Sequence, residues 1–152
     1  MAVTPNTTFS SGAILTAAQM NRFARGIMVA PATSTTTDST ITAEEVMLTT
    51  TFTAVNGRIY RFTYVEPVVT GSVAAVLSAR FRETNIGGTI LQNFRTVIGT
   101  SAATSTAILS YTATASASLT IVATLSASAG TATATRSATQ IAQFIVEDIG
   151  AS

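Results

Sequence analysis

A chain of 152 residues that lacks His, Cys and Lys has few routes to chemistry. Activation of a Ser or Cys nucleophile by His, ligation of a metal by His or thiolate, Schiff-base chemistry and a phosphate-loop lysine are all excluded. Seven carboxylates and eight arginines remain. Glu44-Glu45 and Glu147-Asp148 are sequence neighbours on expected strands, so the members of each pair point to opposite faces and cannot share a proton or clamp a substrate. A glycosidase could use two carboxylates brought together from distant strands. No spacing here supports one, and edge charges account for the same residues. Asp38, Glu44 and Glu45 offer a thin oxygen cluster for calcium, for which a solvated loop is the simpler reading. No catalytic residue, metal site or cofactor is therefore expected.

The basic residues lead to a similar place. Arg58 and Arg61 should point to opposite faces of one strand, whereas Arg80 and Arg82 share a face. Eight Arg against seven acids, with a formal net charge of +1 and no basic stripe, exclude a nucleic-acid surface. Inter-strand or inter-subunit ion pairs are the expected role. Gly87-Gly88 is a turn element, since no helix with Lys follows it. Tyr60, Phe62 and Tyr64 could stack sugar rings if exposed, but aromatic alternation directly after a tight turn predicts core.

The elements that must position these groups are strands. From Val46 to Pro67 the clearest signal is a period of two: Val46, Leu48, Thr50, Phe52 and Ala54 fall on one face, then Tyr60, Phe62 and Tyr64. Asn56-Gly57 between them predicts a type I′ hairpin. Ser72 to Arg82 places Val73, Ala75, Leu77, Ala79 and Phe81 inward and Ser78, Arg80 and Arg82 outward. Asn85 to Gly88 then turns the chain into Thr89 to Ile98, where Ile90, Phe94 and Ile98 align with Gln92. Ala107, Leu109, Tyr111 and Ala113 align on the next strand, and Leu119, Ile121, Ala123, Leu125 and Ala127 on another. Thr135 to Ile149 predicts a last long strand. Pro31 should end a short first strand over residues 27–30, and Pro67 should end the strand that begins at Arg58. Thr33 to Thr40 is a polar loop or edge strand. Seven to nine strands with regular turns predict an antiparallel β-sandwich, with a jelly roll as one form of it.

Residues 1–14 predict an extended arm, with Pro5 denying helix and Val3, Phe9 and Ile14 as apolar anchors. Leu15 to Gly26 carries the signals of a short helix. Thr16 and Gln19 form a capping box, Leu15 and Met20 a hydrophobic staple, and Gly26 is suited to the C-terminal cap. So short a helix needs a neighbour to pack on, through Met20, Phe23 and Ile27. The chain divides into an attachment segment, 1–26, and a β domain, 27–152. The N-terminus lacks the basic and apolar regions of a secretory signal, and no apolar run approaches the roughly 18 residues of a membrane span, so synthesis in the cytoplasm is expected.

Charged residues make up 10% of the chain, well below the roughly 25% of average soluble domains, with Ser, Thr and Ala in their place. A nearly neutral surface gives copies little repulsion, and the absence of Lys removes the usual guard on exposed strand edges. Assembly is expected. The Ala/Ser/Thr-rich stretch from Thr100 to Thr139 keeps a period of two, which gives narrow faces able to pack closely but only weakly specified in register.

Three stretches resemble a pattern found in small virion proteins of tailed bacteriophages. Thr4 to Phe9 followed by Leu15-Thr16-Ala17 and Asn21 is similar to their leader, in which phenylalanine, a spacer, glycine and leucine-threonine-alanine precede an asparagine. Thr53 to Tyr60 looks like their central turn, and Phe144 to Gly150 like their closing strand. The resemblance implies a structural, non-enzymatic virion component, made in the host cytoplasm and multimeric, with a homotrimer as the expected form. It further implies attachment to the major capsid protein or a tail protein through Phe9, Ile14, Leu15, Met20, Phe23 and Ile27. Head decoration or a head fibre is the first expectation. A minor tail or tail-fibre protein whose sandwich binds a host surface receptor is the alternative, and a cell-wall hydrolase on the virion is a third. No contact with nucleic acid or membrane is implied.

Overall fold

The computed structural model describes residues 27–151 together with Ile14. Ten strands follow in order: β1 (Ile27–Ser34), β2 (Asp38–Ile41), β3 (Glu45–Ala54), β4 (Arg58–Gly71), β5 (Ala75–Glu83), β6 (Ile90–Ile98), β7 (Ala103–Thr112), β8 (Ala117–Ala127), β9 (Ala132–Ala134) and β10 (Ala142–Ala151). No helix occurs among the described residues, and so none there is long and apolar enough to cross a membrane. The expected arm and the Leu15–Gly26 helix lie outside the described residues.

The strands form two antiparallel sheets. In the first, β1 pairs with β10, β10 and the short β9 share one edge of β4, with β2 closing on β9, and β7 takes the other edge of β4; the second runs β3-β8-β5-β6. With the short β2 and β9 set aside, the orders 1-10-4-7 and 3-8-5-6 are the doubled Greek key of a jelly roll. The β-sandwich predicted from the alternation is thus the fold. Its core is a cluster of rings around Phe62, whose centroid lies 6.1 Å from Phe52, 5.9 Å from Phe81, 5.5 Å from Tyr111 and 6.3 Å from Phe144. Phe52 and Phe81 come from one sheet and the others from its opposite, so edge-on and stacked rings join the two layers. Around them the buried alanines at 75, 79, 107, 123, 132, 134 and 142 let the sheets approach closely.

The central expectation needs correction. Val46 to Pro67 is not a hairpin: β3 pairs with β8, Phe52 opposite Leu119, while β4 pairs with β10 and β7, Phe62 opposite Val146 and Leu109. Asn56-Gly57 carries the chain from one sheet to the other. The Val55 carbonyl accepts a hydrogen bond from the Arg58 N–H at 3.1 Å, and only Gly57 of the central pair has a positive φ, 75°. That is the demand of a type II turn, not I′. The apolar faces of β3 and β4 meet across the core, with Phe52 and Tyr60 4.9 Å apart, and burying both faces outweighs pairing the two edges. The second expected hairpin, β5 with β6, is formed, with Ala79 opposite Phe94.

Smaller differences have local causes. Pro31 does not end β1, and Pro67 does not end β4. β1 is an edge strand, and at Pro67 the ladder to β7 is already interrupted between Glu66 and Val69, so a missing N–H costs no ladder bond there. A bulge between Val46 and Leu48 turns Val46 outward and buries Met47 beside Leu48. Val73 precedes β5 and is exposed, as is Ile90 at the start of β6. The last strand, expected from Thr135, begins only at Ala142, because a turn closed between Ser137 and Gln140 occupies the residues between β9 and β10.

Candidate functional site

Of the six expected attachment residues, Phe9, Leu15, Met20 and Phe23 lie outside the described residues. Ile14 is 89% exposed, and Ile27 is the first residue of β1. Beyond it Met28, Val29 and Pro31 are also exposed, so the chain enters the sandwich along an uncovered apolar edge. A bulge between Met28 and Ala30 breaks the regular pairing there. From this edge a row crosses the outer face of the sheet: Pro31 opposite Ile145, Ile145 opposite Thr63, Thr63 opposite Ile108. Ile145 and Thr63 are half-buried and Ile108 is exposed. The row belongs to no core. Period-two reading predicted inward faces well, but it assigned these outward apolar residues no role.

The charged groups are largely paired with one another. Arg136 and Glu66 form a buried pair, the Arg136 Nη2 donating to Glu66 Oε2 at 2.6 Å and the Tyr64 hydroxyl donating to the same oxygen at 2.7 Å. Glu66 is completely buried. Arg136 also donates to the Thr36 carbonyl, and its backbone N–H donates to the Thr37 hydroxyl, so the pair ties β4 to the loop between β1 and β2. Burial pushes the Tyr64 phenol well above its ordinary range, and the negative charge of Glu66 adds to the shift. Arg58 Nε donates to Asp148 Oδ2 at 2.8 Å, again buried. On the opposite face of the same two strands Arg61 meets Glu147 at 2.7 Å, largely in solvent. The Arg58 and Arg61 pairs are inter-strand ion pairs of the kind expected from the sequence.

Glu44 takes two arginines. Arg82 donates Nε to Oε1 at 2.6 Å and Nη2 to Oε2 at 2.7 Å, and Arg80 Nη1 stands 2.8 Å from Oε2. The hydrogen bonds from Arg82 hold the Glu44 carboxyl below the usual range against the cost of its burial, helped by Thr124 and the charge of Arg80. Glu44 thus roofs the outer face of the second sheet, where Thr124 is completely buried. It forms no acidic cluster with Asp38 and Glu45. Among the described residues no three acidic side chains gather as a metal site would require. Glu45 is raised by its own burial and by the nearby charge of Asp38. Arg95 makes no ion pair among the described residues.

Tyr60, Phe62 and Tyr64 lie in the core, and none of the described aromatic side chains is exposed. A recess of about 80 Å³ opens at one end of the sandwich between Ala54, Tyr111, Ala113, Ala117 and Leu119. It is small beside the roughly 300–1,000 Å³ of small-molecule sites. Burial raises the Tyr111 phenol above its ordinary range, with the Glu83 charge adding. What the described surface presents is apolar edge, hydroxyl-bearing strands and neutralised charge.

No protein-family model matches the chain, and no curated protein matches it. Among solved structures it is similar to a CBM4 structure (15% identity, 82% of this chain and 81% of the other, TM-score 0.39). It is also similar to the CBM22-1 xylan-binding domain of Xyn10C from Paenibacillus barcinonensis, at 12% identity, 86% and 94% coverage and a TM-score of 0.39. The enzymatically active domain of tailspike protein 4 of bacteriophage CBA120 matches at 14% identity over 84% of this chain and 19% of the other, with a TM-score of 0.36. Likenesses of this depth leave the substrates and partners of those proteins with those proteins.

Proposed function

We propose that this chain is a non-enzymatic structural protein of a bacteriophage virion, a head-decoration or head-fibre protein attached to the capsid through residues 1–26. The observation that carries the reading is the exposed apolar edge where those residues join the sandwich: Met28, Val29 and Pro31 stand uncovered. Apolar groups so placed gain by burial against a receiving surface, and many copies on one particle add up modest contacts. Self-neutralised charge and core-facing aromatics support attachment over ligand capture, since a glycan-binding tip needs exposed rings to stack on sugars. The test is cosedimentation of the purified protein with tailless DNA-filled heads and, separately, with isolated tails, counting bound copies. Saturation at high copy number on heads is the expected result. Binding confined to tails or to one vertex would instead make the chain an adaptor or tail fibre, with its distal loops as the receptor surface.

A further inference from the structure

We infer that the free edge of β7 is a self-association surface, on which a second copy of this chain docks β7 against β7 about a two-fold axis. β7 pairs with β4 along one side only, through eight consecutive residues from Ser105 opposite Glu66 to Thr112 opposite Ile59. No other described strand lies on its outer side. Just past its end, the N–H and carbonyl of Ala113 are both spent on β4, bonding the Arg58 carbonyl and the Gly57 N–H. In a regular antiparallel ladder this parity alternates. The odd residues of β7 therefore bond to β4, while Thr104, Thr106, Ile108, Ser110 and Thr112 aim their backbone groups at the open edge.

The other sheet edges carry guards. β1 has Pro31 and the bulge at Val29, β3 the bulge at Met47, and β6 a bulge at Leu91 together with Arg95; β2 is four residues long. β7 has none of these: ATSTAILSYT contains no charge, Pro or Gly. Natural sheets rarely leave such an edge open, because it is a template for another strand. The absence of charge also selects the occupant. With the axis at Ile108, Thr106 faces the partner's Ser110, Thr104 faces the partner's Thr112, and no like charges are opposed. About ten backbone hydrogen bonds would form across such a pair. The outer apolar row of Pro31, Ile145, Thr63 and Ile108 then continues into its counterpart on the second copy. This surface is formed by described residues of β7, and its symmetry differs from the trimer implied by the family resemblance.

Sedimentation velocity on the full chain, with near-native circular dichroism and thermal midpoint as the check on folding, tests the proposal. The wild type should sediment as a dimer. Ile108→Lys, which sets two ammonium groups against each other at the axis, should weaken the dimer by roughly 100-fold or more. Ser110→Pro should do the same while leaving the bonds to β4 intact. Val97→Lys, on the exposed outer face of β6, should change nothing. The chain has no Cys, so Ile108→Cys provides a clean second readout. Paired Cα atoms across such an axis lie roughly 5.5 Å apart, within disulfide range, and mild oxidation should yield a covalent dimer. A folded wild type that stays monomeric at about 100 μM, well above the micromolar dissociation constants of ordinary weak pairs, overturns the proposal. So does a trimer, or any oligomer, indifferent to Ile108→Lys and Ser110→Pro.

Discussion

Glu66 shows what a single residue can demand of this fold. Its carboxylate is completely buried, and Arg136 and Tyr64 supply the donors that make burial tolerable. Arg136→Met would leave that charge buried with only the phenol as partner, and a cost of roughly 3–5 kcal/mol is expected in urea unfolding. Arg61→Ala removes a pair of which the arginine is 46% exposed, so it should cost about 1 kcal/mol or less. Equal losses for the two variants would show that Glu66 finds other partners. The same cluster sets a pH limit. The Tyr64 phenol titrates in the fold well above its ordinary 10.0, and Tyr111 is also raised. Above pH 10.0 the unfolded chain sheds phenolic protons that the folded chain keeps, so stability falls as pH rises from there towards the folded values. Chemical denaturation at pH 9 and pH 11 measures it, and a flat profile would contradict the burial of Tyr64. None of this partnership was legible in sequence, because Glu66 and Arg136 are seventy positions apart and only the fold brings them together.

At the scale of elements the alternation of side chains was legible and the pairing was not. Period two says which residues share a face, and Tyr60, Phe62, Tyr64, Leu77, Ala79 and Phe81 are buried as that pattern requires. It does not say which edge a strand offers to which neighbour. Asn56-Gly57 marked a turn correctly, but a tight turn serves a crossing between layers as well as a hairpin, and the apolar faces of β3 and β4 decided for the crossing. The turn residue itself remains critical. Gly57→Val places a β-branched side chain at φ 75°, and a loss of roughly 1–3 kcal/mol is expected. Gly88 closes the β5–β6 turn for a different reason: a Cβ there would lie 1.7 Å from the Glu83 carbonyl oxygen, closer than any real contact. Gly88→Ala must therefore distort that turn and with it the Arg82 bond to the Gly88 carbonyl. Hydrogen exchange confined to β5 and β6 should rise in this variant; protection equal to wild type would mean that the turn relaxes at no cost.

For the whole molecule, the question is what residues 1–26 add to the sandwich. Both described sheets, the ring cluster around Phe62 and the buried pairs at Glu66 and Asp148 are built from Ile27 onward. Removing residues 1–26 should therefore leave a cooperative β domain whose thermal midpoint lies within a few degrees of the full chain, since about 1 kcal/mol shifts the midpoint of a domain this size by only several degrees. If attachment runs through that segment, the truncated domain loses cosedimentation with heads while keeping its fold and its β7-dependent association. Retained binding would move the attachment surface onto the sandwich, where the outer apolar row and the exposed edge at Met28 and Val29 are the residues to substitute next. Loss of folding would instead mean that the segment completes the outer face of the first sheet. The three outcomes separate an attachment arm from a structural strap.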